Sequence, residues 1–172
     1  MKDSPNTIAA CPAKGFLPVY GESVEILILG SFPGRQSLVK KEYYGNPQNH
    51  FWHIIEALYN IDRNLPYSVR ISQLTDRRIA LWDVLSGCCR KGSADVLIRE
   101  PVFNDLAGFL REFPTIRLIA LNGSSSGRYY HQLAISAVPA VILPSTSPAN
   151  TRFTLDQKVR AWSIIRTQPP VY

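Results

Sequence analysis

The apolar residues of this chain fall into short runs whose spacing alternates between strand-like and helix-like. Residues 25–29 form a continuous apolar strand after a Pro/Gly-containing lead-in, and the run ends abruptly in Gly30-Ser31-Phe32-Pro33-Gly34. Phe51, Ile54, Ile55, Leu58 and Tyr59 then recur at i, i+3, i+4, i+7 and i+8, the signature of one helical face. A second helix is predicted over 68–76, and the run 79–85 reads as a buried strand with one carboxylate, Asp83, near its end. Residues 86–104 read as loop, because Gly87, Gly92, Ser93, Asp95 and Pro101 interrupt every period.

A helix over 103–112 presents Leu106, Phe109 and Leu110, and Pro114 closes it. A third strand over 118–121 ends in Asn122-Gly123, and a helix over 124–133 follows. The fourth strand, Ala140–Leu143, leaves through Pro144-Ser145-Thr146-Ser147-Pro148-Ala149-Asn150. The last helix opens with Thr154-Leu155-Asp156-Gln157, a capping-box match, and continues through Val159, Trp162 and Ile165 on one face.

Four alternations of strand and helix predict an α/β protein: a three-layer α/β/α domain on a four-stranded, mainly parallel sheet. One domain over 1–172 is expected, with no repeat or linker. Parallel strands put their carboxyl ends on one edge. The polar clusters at 30–34, Asp83, Asn122-Gly123 and 144–150 are therefore expected to converge on one site.

Composition narrows the classes. An apolar fraction of 45% and a charged fraction of 19% suit a water-soluble fold, and no apolar run approaches the ~20 residues of a membrane span. Residues 1–12 lack the charged-then-apolar order of a signal peptide, so a cytoplasmic location is expected. Lys and Arg number 19 against 13 Asp and Glu, a net charge of +6 that fits a polyanionic partner without requiring one. Cys11, Cys88 and Cys89 offer no metal-ligand spacing and are expected as buried free thiols. His50, His53 and His131 show no zinc spacing either, so no metal is expected.

The candidate chemistry lies at the shared strand edge. Gly30-Ser31-Phe32-Pro33-Gly34 lacks the endings of a phosphate loop; it is either an ordinary turn or a rigid wall offering N–H groups to a ligand. Tyr43 and Tyr44 can stack on a nucleobase, worth ~1–3 kcal/mol, although one of the two is expected to serve the core. Asn49 precedes the helix at Phe51, so its amide either caps that helix or positions a water or a base edge. Asp83 late in an apolar strand is costly unless paired, exposed or used. Asn122 can cap the helix that follows it, and Ser145, Thr146, Ser147 and Pro148 combine hydroxyls and rigid turns suited to a DNA backbone or to an ordinary loop.

Taken together, several segments resemble the uracil-DNA glycosylase superfamily, and within it the hypoxanthine (deoxyinosine)-DNA glycosylase branch. They are Leu29-Gly30-Ser31-Phe32-Pro33-Gly34, Ser37-Leu38, Tyr43-Tyr44-Gly45-Asn46-Pro47-Gln48-Asn49-His50-Phe51-Trp52, Leu81-Trp82-Asp83-Val84-Leu85, Gly92-Ser93 with Asp95, Asn104-Asp105, Asn122-Gly123, and Leu143 through Asn150. The resemblance spans about residues 25–165, and its first and last motifs are specific as a pair.

The resemblance implies a monofunctional glycosylase that flips a deaminated base from double-stranded DNA into a pocket, hydrolyses the N-glycosidic bond and leaves an abasic site. It implies no cofactor and no metal, and a monomer is expected. Phe32 occupies the place where many branches carry a water-aligning Asp or Asn, and the role passes to Asn49. Tyr44 falls where an aromatic ring stacks on the flipped base. Asp83 falls where a strand side chain reads the base edge, and an ionised carboxylate there would accept from hypoxanthine N1–H. Gly30, Ser31, Phe32, Pro33 and Asn122 complete the implied pocket, and the 144–150 loop corresponds to the element that pinches the backbone. Three other readings stay open: a uracil or mismatch glycosylase, a non-catalytic nucleic-acid-binding domain with the same fold, and a small-molecule hydrolase. The last is disfavoured by the lack of a Ser-His-Asp or metal constellation.

Overall fold

The computed structural model describes residues 12–166. Four strands build the central sheet. They are β2 (Ile26–Gly30), β3 (Ile79–Asp83), β6 (Leu118–Asn122) and β7 (Ala140–Leu143), hydrogen-bonded in the order β3-β2-β6-β7 and all parallel. The strand period of two separates their side chains into two cores. Ile26, Ile28, Ile79, Leu81, Leu118 and Ala120 join one cluster; Leu27, Leu29, Ala80, Ile119 and Leu121 join the other.

Helices cover both faces, as sheets fed by crossover connections require. Against the first cluster pack α2 (Phe51–Tyr59), α3 (Tyr67–Thr75) and α6 (Leu155–Trp162), through Phe51, Ile54, Ile55, Leu58, Leu74 and Trp162. Against the second pack α4 (Leu106–Glu112) and α5 (Ser124–Gln132), through Leu106, Phe109, Leu110, Tyr129 and Tyr130. The three-layer arrangement expected from the sequence is the one found. The capping box of α6 is present in full, with Thr154 and Gln157 exchanging side-chain and backbone bonds.

The structure departs from the sequence reading in four places. A short helix, α1 (Arg35–Lys40), follows the first turn where none was expected; six residues are too few to display a period. The apolar run 79–85 is two strands rather than one. At Val84 the chain leaves the main sheet, and β4 (Leu85–Cys89) pairs with β1 (Ala13–Lys14) and β5 (Arg99–Phe103) in an antiparallel sheet of three. Residues 86–104, expected as loop, are thus largely ordered as β4, a 3-10 turn over Asp95–Leu97, and β5. Their pairing is irregular, with register shifts on both sides of Gly87, and β5 is mostly exposed, so neither strand carries a clean alternation. Finally, Cys88 is a buried free thiol but Cys89 is disulfide-bonded, and Cys11 lies outside the described residues. The segment before β2 also closes the open side of β3, where Val19 and Leu81 exchange backbone bonds of 2.8 and 2.9 Å.

Candidate active site

The carboxyl ends of β2, β3, β6 and β7 open into one cleft of about 860 Å³. It gathers Gly30, Ser31, Phe32, Pro33, Tyr44, Asn49, Asp83, Asn122, Ser145, Thr146, Ser147 and Pro148, the full set of residues singled out in the sequence.

Asp83 ends β3 at the floor of the cleft and is 4% exposed. Its Oδ2 is buried with no hydrogen-bond partner among the described residues. Gly30, paired with it in register, leaves the room it needs: a Cβ at Gly30 would collide with Asp83 Oδ1. Burial pushes the Asp83 carboxyl up to about 8; the charge of Asp95 adds to the rise and Arg90 opposes it. A shift in this direction favours the neutral acid, with one O–H donor and acceptor capacity besides, over the ionised carboxylate of the sequence expectation.

The two tyrosines divide their duties. Tyr43 is 3% exposed and belongs to the core, its Oη donating to Leu17 O at 3.0 Å. Tyr44, held in the left-handed backbone region at φ 57°, lies flat against Phe51 with ring centroids 3.8 Å apart. Its Oη accepts from Asn122 Nδ2 at 3.2 Å, and burial raises its pKa further above the ordinary phenol value.

Asn122 was a candidate helix cap, but no side chain caps α5. Its amide instead bridges strand, ring and loop: Nδ2 donates to Tyr44 Oη and to Thr146 Oγ1 (2.9 Å), while Oδ1 accepts from Thr146 N (2.9 Å). Thr146 is consequently turned inward and fully buried, so its hydroxyl shapes the loop and is not presented to a ligand. Ser145 and Ser147 are half-buried and Pro148 is exposed. Gly123, at φ +95°, permits the sharp exit from β6, and a Cβ there would meet Ser145 Cβ at 2.8 Å.

Asn49 meets the capping alternative halfway. Its Oδ1 accepts from Phe51 N at 2.9 Å, which orders the turn into α2, although His50 is the residue at the cap position. The second lone pair of Oδ1 and the Nδ2 donors have no protein partner among the described residues, and the side chain lines the cleft.

Phe32 cannot orient a water. Its ring is 6% exposed, belongs to the second core and carries the Arg90 guanidinium 5.2 Å above its centroid. Arg90 and Asp95 are site-building residues that sequence reasoning left without a role. The Arg90 side chain is 3% exposed; it pairs with Asp95 Oδ1 at 3.2 Å and donates to Pro33 O at 2.5 Å. Ser31 Oγ donates to Asp95 Oδ2, and Arg35 N donates to Ser93 Oγ at 2.9 Å. The irregular hairpin thereby buttresses the 30–34 turn. Only the co-occurrence of Gly92-Ser93 and Asp95 with the other motifs hinted at this, because the partners are about 60 residues apart.

The cleft lining offers amides, hydroxyls, the Asp83 and Asp95 carboxyls and the guanidinium groups of Arg35 and Arg152, and among the described residues no three His, Cys, Asp or Glu side chains are placed to hold a metal ion. Among the described residues no helix is long and apolar enough to cross a membrane.

The family profile of the uracil DNA glycosylase superfamily matches residues 17–166. A hypoxanthine DNA glycosylase from Methanosarcina acetivorans is 37% identical over 154 residues, covering 89% of this chain and 98% of that protein. A hypoxanthine DNA glycosylase from Methanosarcina barkeri is 36% identical over 151 residues, covering 87% and 95%. The solution NMR structure of a Methanosarcina acetivorans protein, provisionally named a uracil DNA glycosylase, superposes with a TM-score of 0.78 at 37% identity, covering 88% of this chain and 94% of that one.

Proposed function

The chain belongs to the uracil DNA glycosylase superfamily, and from that premise we propose that it is a hypoxanthine DNA glycosylase, a hydrolase of N-glycosidic bonds in DNA. The observation that carries the reading is the convergence of an unpartnered acid, a stacked ring and an available amide at the carboxyl edge of one parallel sheet. The substrate is deoxyinosine in double-stranded DNA, taken up by a monomer whose chain acts as one domain.

In this reading the flipped nucleotide enters the cleft with its base on the open side of the Tyr44 ring, whose other face is covered by Phe51. The neutral Asp83 carboxyl faces the base edge. Its O–H donates to hypoxanthine O6 while its carbonyl oxygen accepts from N1–H, two hydrogen bonds that together match that edge. Asn122 holds Tyr44 and the loop in register but does not itself supply chemistry.

Asn49 holds the attacking water through its remaining lone pair and Nδ2 donors. An amide is too weak a base to deprotonate water, so the rate comes from position and from the amide dipole facing a developing oxocarbenium sugar. The water oxygen bonds to C1′, the C1′–N9 electron pair leaves with the base, and the water proton is released to solvent or to the departing base. Ser145, Ser147 and Pro148 grip the backbone at the rim.

The test is direct. Duplex oligonucleotides bearing a single deoxyinosine, uracil or xanthine are incubated with the protein and treated with hot alkali. A break at deoxyinosine is expected. Cleavage confined to uracil would replace the substrate assignment, and no cleavage on any of the three would overturn the enzyme reading.

A further inference from the structure

Lys158 is fully buried in α6, yet among the described residues no carboxylate lies within ion-pair distance of it. An ammonium taken out of water without a counter-charge costs several kcal/mol, and an apolar side chain of the same length would pack there without that cost. Burial accordingly lowers its pKa. What Lys158 does make are two hydrogen bonds, to Asn150 O at 3.0 Å and to His50 Nδ1 at 3.3 Å. These acceptors belong to the two segments that carry the candidate chemistry.

We infer that Lys158 is a positioning residue, which clamps the Asn49–His50 turn and the 144–150 rim loop into one arrangement from beneath. The inference rests on the glycosylase reading for its consequence in rate but not for its geometry. Lys158 and Trp162 are four residues apart on one helical face. Trp162 Nε1 donates to Pro144 O at 2.9 Å, so α6 holds the loop at its first and last residues. Asn150 Nδ2 closes the loop on Ser145 O at 3.0 Å. From the other side, His50 N donates to Thr146 O at 2.9 Å, tying the loop to the residue next to Asn49.

The same contact fixes a tautomer. With Lys158 charged, its ammonium only donates, so His50 Nδ1 accepts and the ring proton resides on Nε2. Burial, the Lys158 charge and His53 all lower the His50 pKa, in keeping with a neutral ring. Without Lys158, both the His50 ring and the end of the loop lose their common anchor, and the Asn49 amide loses its fixed relation to the rim that holds the DNA.

The test compares Lys158→Met and Lys158→Arg with the parent chain. For the methionine variant, a Tm at or above that of the parent is expected, together with a single-turnover rate on deoxyinosine duplex reduced at least tenfold and a DNA Kd changed less than threefold. Arginine, which keeps charge and donors, should recover part of the rate. Amide hydrogen exchange should quicken at 49–51 and 144–150 and nowhere else in the methionine variant. Rates within twofold of the parent, or a lower Tm with exchange quickened throughout, would overturn the inference. If methionine prevents folding, the arginine variant decides the matter: local quickening supports the clamp and uniform quickening defeats it. A parent chain that cleaves nothing would defeat the glycosylase reading, whereas the exchange measurement would still decide whether the clamp exists.

Discussion

Asn49 and Asp83 carry separate parts of the proposed chemistry, and their substitutions should fail in different ways. Asn49→Ala removes the group that holds water, and a single-turnover rate at least a hundredfold lower is expected with DNA binding retained. Loss of binding and rate in parallel would instead mark the Phe51 N contact as its main role. In the proposed chemistry Asp83 reads the base edge in a pH-sensitive way. Burial pushes its carboxyl up to about 8, so activity on deoxyinosine should fall as pH rises through that value and the O–H donor is lost. Asp83→Asn, which keeps one donor and one acceptor, should retain activity and lose that fall. The linkage has the same sign for folding. The folded pKa lies above the ordinary value of 3.8, so this stabilisation is complete below 3.8 and is lost as pH rises through about 8. Denaturant titrations should therefore show the parent losing stability over that window relative to Asp83→Asn. At this scale the sequence was informative about residue type and silent about state. The raised pKa of Asp83 comes from burial and from Asp95, which are properties of the assembled cleft.

The irregular hairpin of β4 and β5, with its 3-10 turn, supports one wall of the cleft. It reaches back to the 30–34 turn through Arg90 and Asp95, a nearly closed ion pair that also satisfies Pro33 O and Ser31 Oγ. Removing one partner leaves the other charge in a poorly solvated place, typically a loss of about 3 kcal/mol. Arg90→Met should accordingly lower Tm by roughly 10 °C in calorimetry and slow turnover as well, because the pocket wall is no longer pinned. An unchanged Tm would mean that water replaces the guanidinium. The hairpin was not legible in the sequence because its strands are short and out of regular register, β4 mostly buried and β5 mostly exposed, so neither alternates. The long periodic elements were legible: α2, α6 and the parallel strands bury whole faces, and burial is what writes a period into a sequence.

At the scale of the molecule, charge and shape meet at the cleft rim. The net charge of +6 is spread over the chain, and exposed Arg35 and Arg152 line the cleft mouth. Binding to duplex DNA should weaken as salt rises, with a log–log slope of about −0.9 for each phosphate contacted. Arg152→Ala should make that slope shallower by about one contact without altering the preference for deoxyinosine over normal bases. An unchanged slope would place the phosphate contacts elsewhere.

The architecture and the location of the candidate site are both legible in the sequence. Alternating periods specify a parallel sheet between helices, and parallel strands must bring their polar ends to one edge, whatever side chains those ends carry. The sequence also specified the residue types, since motif and spacing are local. How each group is held and partnered emerges only in the tertiary structure. It turned Thr146 inward, gave Asn122 to Tyr44, raised the Asp83 pKa by burial, and set Arg90 and Lys158 beneath the two walls of the cleft. The reason is physical: protonation state, orientation and hydrogen-bond partner depend on desolvation and on neighbours distant in sequence, and those exist only once the chain has closed on itself.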